Sequence, residues 1–239
     1  RHLKNMQKYK YLYVNGDSYT FGLDLEYQSG EPRFKTHSKH RWSNLLSERL
    51  DCREVNQAEC GSSNDRIVRT LFDWYINNED KHKDTFVVIG WTVPYRFEHF
   101  VKDEWKQEQA GHGWVSPATK VMGGFTFDNP DSFKEPGEHK PLSDEMYKRD
   151  FINHVLLIQN FLKVNNSAYL FFNVHDDGIT NSLEDLKNNP LLDFENIIDI
   201  SFNDFSENIQ NEKIWGYRHP SRLSHKLWAK KLYDKIRQK

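Results

Sequence analysis

The chain has 239 residues, with 33 Lys and Arg against 35 Asp and Glu, so its formal net charge at pH 7 is −2. That balance excludes a bulk electrostatic grip on nucleic acid or on an anionic membrane surface, and neither partner is expected. The 14% aromatic content excludes a disordered chain, and apolar runs of about six residues fall far short of the roughly 20 that cross a bilayer.

Tyr9 to Asn15 is aromatic and β-branched and stops at Gly16, which predicts a buried strand. His40 to Leu50 sets Trp42, Leu45, Leu46 and Arg49 at helical spacing. Glu54 to Ala58 reads as a short second strand. Ser63 or Asn64 is a cap for a helix to Asn77, with Ile67, Val68, Leu71, Trp74 and Tyr75 on one face. Thr85 to Gly90 is a continuous apolar run, the pattern of a central strand covered on both sides. Phe97 to Pro141 is irregular and rich in glycine and aromatics, which predicts a lid or binding loop. Asp144 to Val164 is the longest predicted helix, capped by Ser143, with Tyr147, Phe151, Val155, Ile158 and Leu162 as its stripe. Ala168 to Val174 is another buried strand, Asp176 to Glu195 is irregular, and Ile197 to Ile200 is a short fifth strand. Ser221 caps a last helix to Ile236.

Strands that alternate with helices predict an α/β fold with a mostly parallel sheet. One domain is expected over 1–239, with an insertion at about 97–141 over the rim of the sheet. The first ten residues, RHLKNMQKYK, lack the apolar core of a signal peptide, and Met6 fits a native start. A strand between Cys52 and Cys60 would hold the two thiols beyond disulfide reach. Free thiols and no leader point to a reducing, cytoplasmic location.

The sharpest motif is Gly16-Asp17-Ser18, at the end of the first strand. Ligands of open parallel sheets bind beyond the carboxyl ends of strands. A serine there is placed to be a nucleophile, provided that a base takes its proton. His219, in His219-Pro220-Ser221 just before the last helix, is the candidate base. His225 lies inside that helix and reads as a packing or capping residue.

Together these residues resemble the SGNH or GDSL-type hydrolases, a family of serine esterases, and specifically their bacteriophage and marine microbial members. Gly16-Asp17-Ser18 looks like the nucleophile block. Asn56 to Asn64 is similar to the second block, in which Gly61 would donate an oxyanion-hole N–H. Gly90-Trp91-Thr92 falls where the third block lies, and His219-Pro220-Ser221 looks like the fifth. The resemblance implies a three-layer α/β/α sandwich with a flavodoxin-like sheet of order 2-1-3-4-5. It also implies hydrolysis of a carboxylic ester through an acyl-enzyme, with no cofactor and no metal.

Two positions depart from the family pattern. The third-block asparagine is replaced by Thr92, whose hydroxyl is a shorter donor. The fifth-block aspartate, three residues before the histidine, is replaced by Gly216. Asp176 and Asp177, at the end of the fourth strand, are the candidate substitutes, with a backbone carbonyl as the alternative. With His175 they have too few partners for a metal site. Trp91, Arg96 and Trp114 are candidate substrate contacts, against ordinary packing or surface roles. The expected substrate is a small-molecule or O-acetyl carbohydrate ester. Acyl transfer to a sugar hydroxyl, or an SGNH-fold binding or structural protein that has lost catalysis, are the alternatives; Thr92 and Gly216 favour the last.

Overall fold

The computed structural model describes residues 8–25, 38–101, 104–109, 143–209 and 219–238. Strand β1, Tyr11–Asn15, leads into a single-turn helix α1, Ser18–Phe21. Helix α2, Trp42–Leu50, precedes β2, Arg53–Asn56. This strand is shorter than its composition suggests, and at its end Asn56 Oδ1 accepts the Ala58 N–H. Helix α3, Asn64–Asn77, is capped by Ser63, which accepts the Arg66 N–H. A 3-10 turn, Glu79–Asp84, leads to β3, Thr85–Trp91, every residue of which is buried. Strands β4, Arg96–Val101, and β5, Glu104–Gln109, form an antiparallel pair. Helix α4, Asp144–Val164, has the expected Ser143 cap, and β6, Ala168–Asn173, follows. Helices α5, Leu183–Asn188, α6, Phe202–Ile209, and α7, Arg222–Arg237, complete the chain, the last capped by Ser221.

The main sheet is parallel, with order β2-β1-β3-β6. Alternation along its strands divides the core in two. Tyr13, Val87, Ile89, Trp91, Tyr169 and Phe171 pack with the apolar faces of α3 and α4. Leu12, Val14, Phe86, Val88, Leu170 and Phe172 pack on the other side with Trp42, Phe202, Trp228 and Leu232 of α2, α6 and α7. Helices thus cover both faces of a four-stranded α/β sheet.

Two expectations are corrected. The fifth strand of the flavodoxin-like order does not form among the described residues: Ile197 makes one parallel bridge to Phe171, and the Ile198 N–H reaches the Phe171 carbonyl at 2.8 Å. The chain then leaves the sheet because Ser201 Oγ accepts the Asp204 N–H and starts α6, whose Phe202 stacks on Trp228. The irregular stretch expected from Phe97 begins instead as the β4–β5 hairpin. Residues 110–141, with Trp114, lie outside the described residues.

The hairpin is fastened to the body. Glu98, nearly fully buried, takes two bonds from Arg69 of α3, at 2.7 Å each, and its own N–H reaches Asp65 at 3.1 Å. All four strands of the sheet run the same way, so β1, β2, β3 and β6 deliver Gly16, Asn56, Thr92 and Val174 to one edge.

Candidate active site

Ser18 sits at the first position of α1, one residue past the Asp17 cap, which accepts the Tyr19 N–H at 3.1 Å. The turn from β1 into α1 is tight, and only glycine fits at its start. A Cβ on Gly16 would lie 2.4 Å from Thr20 Oγ1 and 3.0 Å from the Gly90 carbonyl oxygen. Helix α1 ends at once in the left-handed Gly22, where the N–H groups of Gly22 and Leu23 both reach the Ser18 carbonyl at 3.0 Å.

The residue after Leu23 is Asp24, itself left-handed at φ 68°. Its neighbours Leu23 and Leu25 are buried, which fixes the chain on either side of it. Arg222, at the start of α7, donates from Nε to the Leu25 carbonyl at 2.8 Å and ties this segment to the one that carries His219. The result is a chain of hydrogen bonds. His219 Nε2 lies 2.9 Å from Ser18 Oγ, and His219 Nδ1 lies 2.8 Å from Asp24 Oδ2. With its proton on Nδ1, the imidazole donates to Asp24 and presents a lone pair to the Ser18 hydroxyl. The three side chains are largely screened from water: Ser18 is buried, and the side chains of His219 and Asp24 are 17% and 7% exposed. Such an arrangement can take a proton from serine as it attacks a carbonyl.

Asp24 was not legible as a site residue. The acid was expected on the fourth strand, yet Asp176 and Asp177 are both committed to their own loop. Asp176 accepts the N–H groups of Gly178 and Leu183. Asp177 accepts those of Ile179, Thr180 and Asn181 and the Thr180 hydroxyl, and these bonds outweigh its burial and hold its carboxyl below the usual range. The one signal for Asp24 in the sequence is its place between two leucines just after the Gly22 turn.

The second-block loop runs beside the Ser18 turn. Its Gln57 and Glu59 N–H groups continue the pairing of β2 to the carbonyls of Val14 and Gly16. Gly61 follows at φ 78°, with open space where a Cβ would stand. Among the described residues, no acceptor takes the N–H of Ser18 or of Gly61. Thr92, fully buried at the end of β3, does not aim its hydroxyl at Ser18: Oγ1 donates to Asp17 Oδ2 at 2.8 Å. Asn64 at the start of α3 is equally committed, with Oδ1 on the Thr92 N–H and Nδ2 on the Thr92 carbonyl. Arg96 joins this group, with Nη1 3.0 Å from Asp17 Oδ2 and 2.7 Å from Thr92 Oγ1.

Trp91 was expected to touch substrate, but it is fully buried against Phe151 and Phe171 in the core between the sheet and α4. As the last residue of a strand covered on both faces, it points into a helix layer rather than over the sheet edge. His175 stands on the rim instead, edge-on to the Tyr19 ring that also neighbours His219. Burial lowers the His175 pKa and favours its neutral form. His225 is a packing and capping residue: buried in α7, its Nδ1 accepts the Trp42 N–H at the start of α2. Among the described residues, no group of three His, Cys, Asp or Glu side chains could hold a metal ion, and no helix is long and apolar enough to cross a membrane. Cys52 and Cys60 are free.

No curated protein matches the chain. Solved structures are similar in fold at low identity. A G-D-S-L-family protein from Desulfitobacterium hafniense DCB-2 is 13% identical, with a TM-score of 0.50 over 95% of this chain and 99% of that one. A carbohydrate esterase is 17% identical, with a TM-score of 0.52 over 100% of this chain and 67% of that one. TesA is 12% identical, with a TM-score of 0.52 over 95% and 98%. A family profile matches residues 24–239, and the chain therefore belongs to DUF6071, a family of unknown function.

Proposed function

We propose that the protein is a serine hydrolase of the SGNH type that cleaves a small carboxylic ester, with Ser18 as nucleophile, His219 as base and Asp24 as the acid that orients the base. The observation that carries this reading is the hydrogen-bond chain from Ser18 Oγ through both nitrogens of His219 to Asp24. A fold shared with esterases supports it.

In the proposed reaction Ser18 Oγ forms a bond to the ester carbonyl carbon, and its proton passes to His219 Nε2. The carbonyl electron pair moves to oxygen, where the N–H groups of Ser18 and Gly61 receive it. Asp24 stabilises the imidazolium that forms. The carbon–alkoxide bond then breaks, and His219 protonates the leaving alcohol. Water then bonds to the acyl carbon as it gives a proton to His219, the bond from that carbon to Ser18 Oγ breaks, and His219 returns the proton to Oγ as the acid leaves. The polar rim, with Arg96 and His175, suits a short acyl ester or an O-acetylated carbohydrate better than a long lipid chain.

The test is labelling with a fluorophosphonate together with turnover of p-nitrophenyl acetate. The wild type is expected to react in both assays and a folded Ser18→Ala variant in neither. Labelling that survives in Ser18→Ala, or a wild type inert in both assays, overturns the reading.

A further inference from the structure

Two N–H groups are a thin oxyanion hole, and the side chains best placed to add a third donor have other partners. The Thr92 hydroxyl is turned to Asp17, and both ends of the Asn64 amide are bonded to the Thr92 backbone. What stands at this corner instead is a guanidinium. Arg96 opens β4 four residues after Thr92, and its Nη1 is fixed by two bonds, to Asp17 beside the nucleophile and to Thr92 at the end of β3. Its side chain remains 20% exposed, whereas that of Asp17 is 1% exposed. The carboxylate is thus enclosed and the cation lies at the surface of the site.

Resting on the hydrolase reading above, we propose that Arg96 is an oxyanion-stabilising residue, supplying by its positive charge what the replaced third-block amide does not. As Ser18 Oγ bonds to the carbonyl carbon, one full negative charge develops on the carbonyl oxygen. A cation held in advance beside that oxygen costs no reorganisation when the charge appears, and partial exclusion of water strengthens the interaction. Asp17 serves as the fixed anchor of Arg96: its Oδ1 is on the Tyr19 N–H, and its Oδ2 accepts from Thr92 and Arg96 together. The buried bond between Arg69 and Glu98 holds the hairpin from which Arg96 extends.

The experiment measures kcat and KM of wild type, Arg96→Gln, Asp17→Asn and the double variant on p-nitrophenyl acetate, a neutral ester. Arg96→Gln is expected to lower kcat by about 10²–10³ with KM nearly unchanged. A merely structural role, neutralising Asp17, makes a different forecast. If Arg96 only balances that charge, removing the charge restores activity and the double variant recovers kcat toward the wild type; if Arg96 stabilises the oxyanion, the double variant stays about 10²–10³ below the wild type. The double variant also carries the test if Arg96→Gln alone fails to fold, since it leaves no buried carboxylate unpaired. A kcat of Arg96→Gln close to that of the wild type, a double variant restored to the wild-type kcat, or an effect confined to KM for the anionic ester p-nitrophenyl hydrogen succinate, overturns the proposal. In each of these results the wild type and Ser18 remain active, so the hydrolase reading stands. A wild type inert to both acetate and fluorophosphonate removes the two together.

Discussion

Ser18 and Asp24 are six residues apart, and they bind opposite nitrogens of one imidazole that comes from the far end of the chain. The short span is possible because α1 is a single turn that closes on the Ser18 carbonyl through Gly22 and Leu23. The chain therefore comes back past its own starting point and sets a carboxylate beside the hydroxyl, with room for His219 between them.

Asp24→Asn should keep the fold and lower kcat on p-nitrophenyl acetate by about 10³–10⁴, because an amide facing Nδ1 allows the wrong tautomer and leaves the imidazolium without a counter-charge. Asp176→Asn should leave kcat near wild type. Equal rates for Asp24→Asn and wild type, across pH 5 to 9, would remove Asp24 from the site.

Glycine is required at Gly16 and Gly61 for different reasons, and alanine should separate them. At Gly61 only the backbone objects, since φ is 78° and nothing lies within 4 Å of an added Cβ; Gly61→Ala should cost about 1 kcal/mol of stability. At Gly16 the new Cβ meets Thr20 and the Gly90 carbonyl, so Gly16→Ala should cost about 2 kcal/mol or more and reduce activity as well. Urea unfolding of the two variants measures the order, and a Gly61→Ala loss larger than that of Gly16→Ala would contradict this account.

Burial, with a smaller contribution from the charge of His219, pushes the His225 pKa down from 6.5 to about 3, and its Nδ1 accepts the Trp42 N–H. A depressed folded pKa means that the unfolded chain takes up the proton first. His225 therefore contributes stability that is fully present above pH 6.5 and is lost progressively as the pH falls toward about 3. His225→Gln, which keeps an acceptor but does not titrate, should have a shallower loss of unfolding free energy between pH 7 and pH 4. Parallel curves for the two proteins would exclude His225 as a source of acid sensitivity.

Removing Arg69 leaves the enclosed Glu98 carboxylate without its two strongest donors. Arg69→Ala should cost about 3 kcal/mol, seen as a lower thermal midpoint. The variant Arg69→Ala/Glu98→Gln should recover much of that loss, because no buried charge is then unpaired. Failure of the second substitution to restore stability would show that the hairpin is held by other contacts.

The parts of this protein readable from its sequence are those set by local periodicity and turn chemistry. The strands expected over Tyr9 to Asn15, Thr85 to Gly90 and Ala168 to Val174 form as Tyr11–Asn15, Thr85–Trp91 and Ala168–Asn173, segments dominated by aromatic and aliphatic side chains, and the stripes of α3 and α4 are buried. Ser63, Ser143 and Ser221 cap helices because a hydroxyl three residues before a free N–H is a local device. Ser18 was legible for a similar reason: a glycine, a capping aspartate and a serine at the end of a strand make one tight turn. Contacts that join distant segments had no such signature. The sequence could not say that a left-handed aspartate between two leucines faces His219, that Asp177 turns inward on its own loop, or that the Thr92 hydroxyl donates a hydrogen bond to Asp17. Nor could it show that Ile197 would make one bridge and leave, since that depends on where Phe202 finds Trp228. Strands and caps are decided by neighbours in the chain; the partner of a side chain is decided by which segments the packed sheet and helices bring to the same edge.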